Sequence, residues 1–291
     1  MNALPEFATL SVDLDCRTAT VTIDHPPLNL LDVAMLADLD RLGCWLGSDE
    51  ELNVVVFRSA NPRFFIAHAD LSMLDAMPRS AESRSSAPSV HQLIVDRFRT
   101  LPQVTIGLIE GIARGGGSEF LMALDMRFGE LGKAILSQPE VALGFPPGCG
   151  GTQRLPRLVG RSNALEAILG CADYSAQDAA RIGWLNRAMP HEELIFFVER
   201  LVARIASFSR SAIMAAKSAV DSSTKPLRDG FCDESDAFLR AYAAQDTQNR
   251  VRRAIQRGFQ TGELEAGSID DWLQSLGDSC AASDSASTEN V

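Results

Sequence analysis

Long apolar runs are missing from this sequence. No uninterrupted stretch approaches the roughly 20 residues that a membrane-spanning helix needs, so no membrane partner is expected. The opening Met1-Asn2-Ala3-Leu4-Pro5-Glu6 has neither a basic region nor an apolar stretch behind it, the two parts of a secretory signal. A mitochondrial leader is rich in Arg and poor in acids, yet Glu6, Asp13 and Asp15 arrive before Arg17. A cytoplasmic protein is the expectation. Basic residues are also short: Lys plus Arg is 27 against 38 Asp plus Glu, a formal net charge of −11. The phosphate backbone repels such a chain, so nucleic acid is not an expected partner. The six cysteines (Cys16, Cys44, Cys149, Cys171, Cys232, Cys280) are scattered, with no zinc-finger or thioredoxin spacing. They read as reduced thiols. The four histidines (His25, His68, His91, His191) lack metal-ligand spacing, and no metal site is expected.

What is present is an ordinary globular balance: 291 residues, 46% apolar and 22% charged. That is enough for one large domain or two modest ones. The first half alternates strand-like and helix-like segments. Ala19–Ile23 is β-branched and reads as a strand, stopped by His25-Pro26-Pro27. Asp32 precedes a helical spacing over Val33–Leu39. Asn53–Phe57 reads as a strand buried on both faces. Further strands are expected at Phe64–Ile66, Val104–Ile109 and Lys133–Leu136, with a helix from Ser118 to about Met126. This alternation predicts an α/β fold. Beyond about residue 160 the chain reads as helices (163–169, 176–181, 192–207, 210–220, 229–243), with only a short strand near Trp184-Leu185-Asn186. A serine-rich mobile loop is expected over 79–89 and a short helix over 271–276. No internal repeat is visible in the sequence. The expected division is an α/β core over 1–205, a helical region over 206–262 and an acidic, disordered tail over 263–291.

Three segments carry chemistry. In Phe64-Phe65-Ile66-Ala67-His68-Ala69-Asp70-Leu71 a strand runs into a helix start, where backbone N–H groups are free to bind an anion. In Gly111–Phe120 three glycines, Gly115-Gly116-Gly117, let the backbone bend tightly and approach a ligand before a helix begins. Such a helix start can stabilise a developing oxyanion. The spacing is neither a dinucleotide fingerprint nor a Walker loop. The third segment is Ser137-Gln138-Pro139-Glu140, followed by the Gly- and Pro-rich 144–155 stretch. Glu140 and Glu119 are 21 residues apart with a helix and a strand between. That path brings the chain back on itself, so both carboxylates can face one pocket and split acid and base roles. Taken singly, each segment also fits a plain turn, a helix cap or a surface carboxylate.

In this order the segments resemble the crotonase superfamily, the enoyl-CoA hydratase/isomerase family. The resemblance is carried by Asp24-His25-Pro26-Pro27-Leu28-Asn29, Ile66–Leu71, Gly115–Phe120, and Gln138-Pro139-Glu140 through Gly151-Thr152-Gln153-Arg154-Leu155, and it covers roughly residues 8–260. It implies a crotonase-like fold of repeated ββα units with a helical C-terminal trimerisation region. The implied assembly is a homotrimer, or a hexamer made of two trimers. The implied ligand is an acyl-CoA thioester, with CoA part of the substrate and no separate cofactor. By that resemblance the backbone amides of Ala69 and Gly116 form the oxyanion hole. Glu119 deprotonates the water that attacks C3 of a 2-enoyl-CoA, and Glu140 delivers the proton to C2. The Gly148 amide helps orient water or carboxylate. The substrate lies along Ala67, His68, Asp70, Leu71 and Gly115, with Arg63 or Arg114 near the CoA phosphates. Phe145 and Pro147 line the acyl pocket, which the Met73–Val90 loop shapes.

Two residues depart from the family pattern. His68 stands where many members have glycine; it either packs as a tolerated substitution or hydrogen-bonds substrate or a neighbouring loop. Arg114 beside the glycines pairs with an acyl carboxylate, a CoA phosphate or a protein acid. Enoyl-CoA hydratase is the leading reading. Isomerase, thioester hydrolase and decarboxylase on the same scaffold are the near alternatives. A non-catalytic acyl-CoA-binding subunit is the alternative of another class.

Overall fold

In the computed structural model the described residues are 3–76, 87–208, 210–221, 235, 238–239, 242–243, 245–265 and 267. Strands β1 (Leu10–Asp15) and β2 (Thr18–Ile23) form an antiparallel hairpin. β2 then pairs in parallel with β3 (Val54–Ser59), which pairs with β5 (Val104–Ile109), then β7 (Met126–Glu130) and β10 (Arg187–Met189). A second, smaller sheet runs β4 (Phe64–Ile66), β6 (Ile112–Arg114), β8 (Ile135–Ser137) and β9 (Tyr174–Ser175), with only the last pair antiparallel.

The chain alternates between the sheets. β3 and β4 lead to helix α2 (Val90–Thr100), β5 and β6 to α3 (Gly116–Ala123), β7 and β8 to α4 (Gly151–Gly170). Each unit is strand, strand, helix, with the first strand in the large sheet and the second in the small one. The repeat is therefore one of geometry, invisible as residue identity. This is the crotonase-like architecture, mixed α/β with largely parallel sheets.

Alternation along β3 shows why the large sheet sits between two layers. Val55 and Phe57 face a core shared with α1 (Val33–Ser48), α2 and α3. Val54 and Val56 face the opposite core, with Leu194 and Val198 of α6 (His191–Ala206) and Ile213 of α7 (Arg210–Asp221). The double burial expected for this strand holds. Phe57, Phe98 and Phe120 meet edge-to-face at 5.3–5.4 Å in the first core, tying sheet, α2 and α3 together. Asp32 caps α1 by accepting from the Met35 amide at 2.9 Å.

The structure corrects several expected boundaries. α3 stops at Ala123, not Met126, because the Leu124 amide turns back to Leu121 O and the Arg127 guanidinium donates to Leu124 O at 2.7 Å. Met126 already belongs to β7. The late strands are β9 and β10; Trp184-Leu185-Asn186 is the turn before β10, with the Trp184 side chain in the core. Both are too short to carry a periodic signal and exist through pairing with β8 and β7. β1, β6, β7 and α2 were likewise not assigned from the sequence. The loop expected over 79–89 lies outside the described residues except for 87–89, as do the helix expected over 271–276 and most of that expected over 229–243. Among the described residues no helix is long and apolar enough to cross a membrane.

Part of the region beyond 206 packs on this chain's own α/β layers. Phe238, Tyr242, Val251, Ala254 and Phe259 form a core with Leu71, Leu74, Leu143 and Phe145. The helix Gln245–Gln256 rests on the 3-10 turn Glu140–Leu143.

Candidate active site

Three strands of the small sheet end side by side, β4, β6 and β8, with β6 in the middle. The segments after them are His68-Ala69-Asp70, Gly115-Gly116-Gly117 and Gln138-Pro139-Glu140. The fold thus gathers all three chemistry-bearing segments at one edge.

Beyond β4 the backbone is pinned by a bridge to Leu31, whose amide donates to His68 O at 2.9 Å while Asp70 N donates to Leu31 O at 3.1 Å. The intervening Ala69 amide points away from that bridge, because successive amides along an extended chain alternate in direction. Asn29, at φ +53°, holds the same corner from below: its Nδ2 donates to Ser59 Oγ at 2.8 Å and to Phe65 O at 3.1 Å. Gly115 has φ +47°, a conformation open chiefly to glycine, and sits just before α3. Gly117 passes so close to β4 that a Cβ there would lie 2.1 Å from Ile66 O. A Cβ on Gly116 would lie 3.4 Å from Ala69 N. The Ala69 and Gly116 amides are therefore neighbours, and neither donates to an acceptor among the described residues. Two such donors can bind one oxygen that gains negative charge.

Glu119, in the first turn of α3, is buried, and its Oε1 accepts from Cys149 N at 2.8 Å and Gly151 N at 2.7 Å. The loop before α4 wraps the carboxylate so tightly that a Cβ on Gly151 would lie 2.9 Å from Glu119 Oε1 and 2.2 Å from Gln138 Oε1. Gly148 supplies pocket wall, while the Cys149 and Gly151 amides beyond it reach this carboxylate. Glu140 opens the 3-10 turn after β8, with Oε1 3.0 Å from where a Gly115 Cβ would be. Gln138 fixes that approach, its Nε2 donating to Gly115 O at 3.1 Å. The two buried carboxylates thus flank the start of α3.

They open into one cavity of about 190 Å³ with mostly apolar walls. Of the residues singled out from the sequence, His68, Ala69, Asp70, Leu71, Gly115, Gly116, Glu119, Glu140, Phe145 and Gly148 line it. Ala67, Arg114 and Pro147 do not. Ala67 is fully buried beneath the segment, its amide bonded to Leu28 O and its carbonyl to Arg114 N. The Arg114 guanidinium faces the other way and grips Asp173 with two bonds of 2.8 and 2.6 Å, so of its three readings the protein acid holds. Pro147 is buried against Gly151. Arg63 is exposed and lies over the Phe64 ring.

His68 turns towards a neighbouring segment. Its Nδ1 is 2.9 Å from Ala69 O, and its ring stacks on Phe259 at 4.6 Å and 11°. Asp70 accepts from Ser72 and, at 2.7 Å, from Gln260 Nε2. Burial pushes the Asp70 carboxyl up, but these hydrogen bonds and the nearby His68 outweigh it and hold it below the usual range.

Among the remaining walls, these were not singled out from the sequence: Leu31, Leu36, His91, Leu143, Cys149, Ser235, Phe238, Leu239 and Phe259. Met73, Leu74 and Ser89 fall in the loop expected to shape the acyl pocket. The rest are ordinary helix or loop residues that packing alone brings to the cavity.

Away from the pocket, the fold also joins Glu110, Glu130 and His191, whose donor atoms lie within 4.8 Å of one another. Sequence spacing gave no hint of this group. Arg58 pairs with Glu110 at 2.9 Å and Lys133 with Glu130 at 2.9 Å, so protein cations already balance both carboxylates.

A family model described as enoyl-CoA hydratase/isomerase matches residues 16–257. A short-chain-enoyl-CoA hydratase of Clostridium acetobutylicum is 30% identical over 87% of this chain and 96% of its own length. Among solved structures, a Streptomyces avermitilis protein assigned as an enoyl-CoA hydratase superposes with a TM-score of 0.84 at 35% identity, covering 94% of this chain and 99% of its own. An enoyl-CoA hydratase of Bacillus anthracis gives a TM-score of 0.68 at 28% identity over 86% of this chain and 96% of its own.

Proposed function

The chain belongs to the enoyl-CoA hydratase/isomerase family, and from that premise we propose that it adds water across the double bond of a 2-enoyl-CoA. One observation carries the reading: two buried carboxylates, Glu119 and Glu140, and two neighbouring amides, Ala69 and Gly116, line one apolar cavity.

The thioester oxygen accepts from both amides. Glu119, oriented by the Cys149 and Gly151 amides, takes a proton from water as the water oxygen bonds to C3. The double-bond electrons move towards the thioester and develop an enolate, whose oxygen the two amides stabilise. Glu140, on the other side of Gly115, gives a proton to C2. Glu119 then releases the proton it took and Glu140 regains one, which restores both groups; the sum is one water added and no redox change, so the step calls for no cofactor beyond the CoA of the substrate. The apolar walls exclude bulk water and strengthen each of these contacts. The same reading makes the protein a cytoplasmic homotrimer or pair of trimers.

Crotonyl-CoA and longer 2-enoyl-CoAs, followed by loss of the conjugated thioester absorbance, test this. We expect turnover by the wild type, and a fall of about a hundredfold to ten-thousandfold in kcat for Glu119→Gln and for Glu140→Gln, the range for one acid–base group. Full activity in either variant, or no turnover of any 2-enoyl-CoA by the wild type, refutes it.

A further inference from the structure

The cavity has a polar region around the start of α2 that hydration chemistry does not use. Its position follows from a chain of contacts. Gly148, in the loop that holds Glu119, faces the Phe238 ring, where a Cβ would meet Cδ2 at 3.0 Å. Three residues before Phe238, Ser235 Oγ donates to Gln92 Oε1 at 3.0 Å. Gln92 belongs to the first turn of α2, next to His91 and three residues from Ser89. Ser89, His91 and Ser235 all line the cavity. The polar region therefore adjoins Phe238 and shares the cavity with the carboxylates.

Most of its polar atoms are engaged. Ser89 and Gln92 bond reciprocally in a capping box at 2.9 and 3.2 Å. Ser235 is held by Gln92. Elsewhere in the cavity His68 faces Ala69 O and Phe259, and Asp70 faces Ser72 and Gln260. His91 differs: its imidazole lines the cavity and has no hydrogen bond or ion pair to any described residue. Burial pushes its proton affinity down, so near pH 7 the ring is neutral and offers one donor and one acceptor. A half-buried imidazole without a partner costs free energy that a bound polar group recovers. The same cavity is otherwise mostly apolar, with Phe238 and Phe145 in its walls, and suits methylene groups.

We propose that His91 selects acyl-CoA thioesters whose acyl chain carries a neutral hydrogen-bonding group, a hydroxyl or carbonyl, at its distal end. This rests on the hydratase reading for the direction in which the acyl chain runs. It names a substrate class within that reading: an alkyl segment between the thioester and a polar terminus.

Calorimetric binding of two saturated medium-chain acyl-CoAs of equal carbon count tests it, one plain and one with an ω-hydroxyl. Neither undergoes hydration, so binding is read without turnover. The wild type should bind the ω-hydroxy thioester about tenfold more tightly, the worth of one net hydrogen bond. His91→Phe should remove the preference, and His91→Gln, which keeps a donor and an acceptor, should retain part of it. Equal affinities in the wild type overturn the proposal, whatever the variants do. So does a His91→Phe variant that weakens both thioesters alike, which would place His91 against the shared CoA portion. If His91→Phe does not fold, the wild-type and His91→Gln ratios still decide. A parallel hydration assay on crotonyl-CoA separates the two readings. A calorimetric preference without hydration keeps this inference and sinks the hydratase; hydration without a preference does the reverse.

Discussion

Substituting Gly116 by alanine places a methyl group between the two candidate oxyanion donors. The new Cβ would lie 3.1 Å from Ala69 Cβ and 3.1 Å from Leu31 Cδ2. Comfortable carbon contacts are about 3.5–4.0 Å. Leu31 can rotate its side chain away, but Ala69 cannot move alone. It is held on both sides by the bonds of His68 and Asp70 to Leu31. The excess of roughly 0.5 Å therefore separates the Ala69 and Gly116 amides. A productive donor sits about 2.7–3.1 Å from the oxyanion, so a shift of that size takes one amide out of reach. Losing one donor costs about 2.7–4 kcal/mol in the transition state, a hundredfold to thousandfold fall in kcat. The fold suffers less. Overpacking costs about 1–3 kcal/mol, and alanine in a helix returns about 1 kcal/mol relative to glycine. Saturating kcat with a 2-enoyl-CoA, measured beside urea unfolding of the same preparation, separates the two effects. A kcat within a few-fold of wild type in a folded Gly116→Ala protein would remove the oxyanion role from these amides.

Two further predictions concern the scaffold. Asp38 is buried in α1 and accepts from Ala8 N, Thr9 N and Thr9 Oγ1 at 2.7–2.8 Å, with Arg41 beside it. Burial pushes its carboxyl up, but the bonds from Thr9 and Ala8 and the Arg41 charge outweigh it, leaving the folded value below the ordinary one. Asp38→Ala should cost about 3 kcal/mol at neutral pH through the stranded donors. Because the folded value is depressed, that contribution is present above the unfolded value of about 3.9 and is lost as pH falls through the folded one. The stability gap between wild type and variant should therefore narrow as the solution is acidified; a gap that stays constant as pH falls contradicts the assignment. Arg114→Ala leaves the Asp173 carboxylate without its bidentate partner and should destabilise by about 2–3 kcal/mol, towards the low end because Asp173 keeps some solvent access. KM for acyl-CoA should not change. A tenfold rise in KM at unchanged stability would return Arg114 to the substrate.

How much of this was legible depends on the range over which each signal acts. Runs such as Val54-Val55-Val56-Phe57 are self-declaring, because every residue is apolar and β-branched or aromatic. β6 and β9, of three and two residues, are strands only through their partners, β4 and β8 for the first and β8 for the second. α3 looked longer than it is because Leu124 and Met126 continue an apolar pattern; Arg127, from the next strand, ends the helix by bonding its last carbonyls. At the site, Glu119 and Glu140 were readable because each follows a strand and a glycine- or proline-bearing turn in a fixed order. His91, Phe238 and Phe259 carry no such local mark. The stack of Phe259 on His68 joins residues 191 positions apart and gives the imidazole a packing partner that local sequence does not announce.

The glycine triplet occurs in one of the three ββα units, and the order of the small sheet explains why. β6 lies between β4 and β8, so of the three units only the middle one has another unit on both sides of its strand-to-helix turn. On one side β4 presses its carbonyl at Ile66 to within 2.1 Å of any Cβ at position 117, and Ala69 crowds position 116. On the other, Glu140 reaches to 3.0 Å from any Cβ at position 115, where φ is +47°. Each of the three positions is thus closed to a side chain by a different neighbour. The outer units each meet one other unit at this point and carry His68-Ala69-Asp70 and Gln138-Pro139-Glu140 instead. Side chains there are not only tolerated but used, since the third unit supplies a carboxylate and the first a packed imidazole. A repeated backbone has in this way become a single asymmetric site: the middle turn gives up its side chains so that the backbone of one neighbour and the carboxylate of the other can approach the same amide.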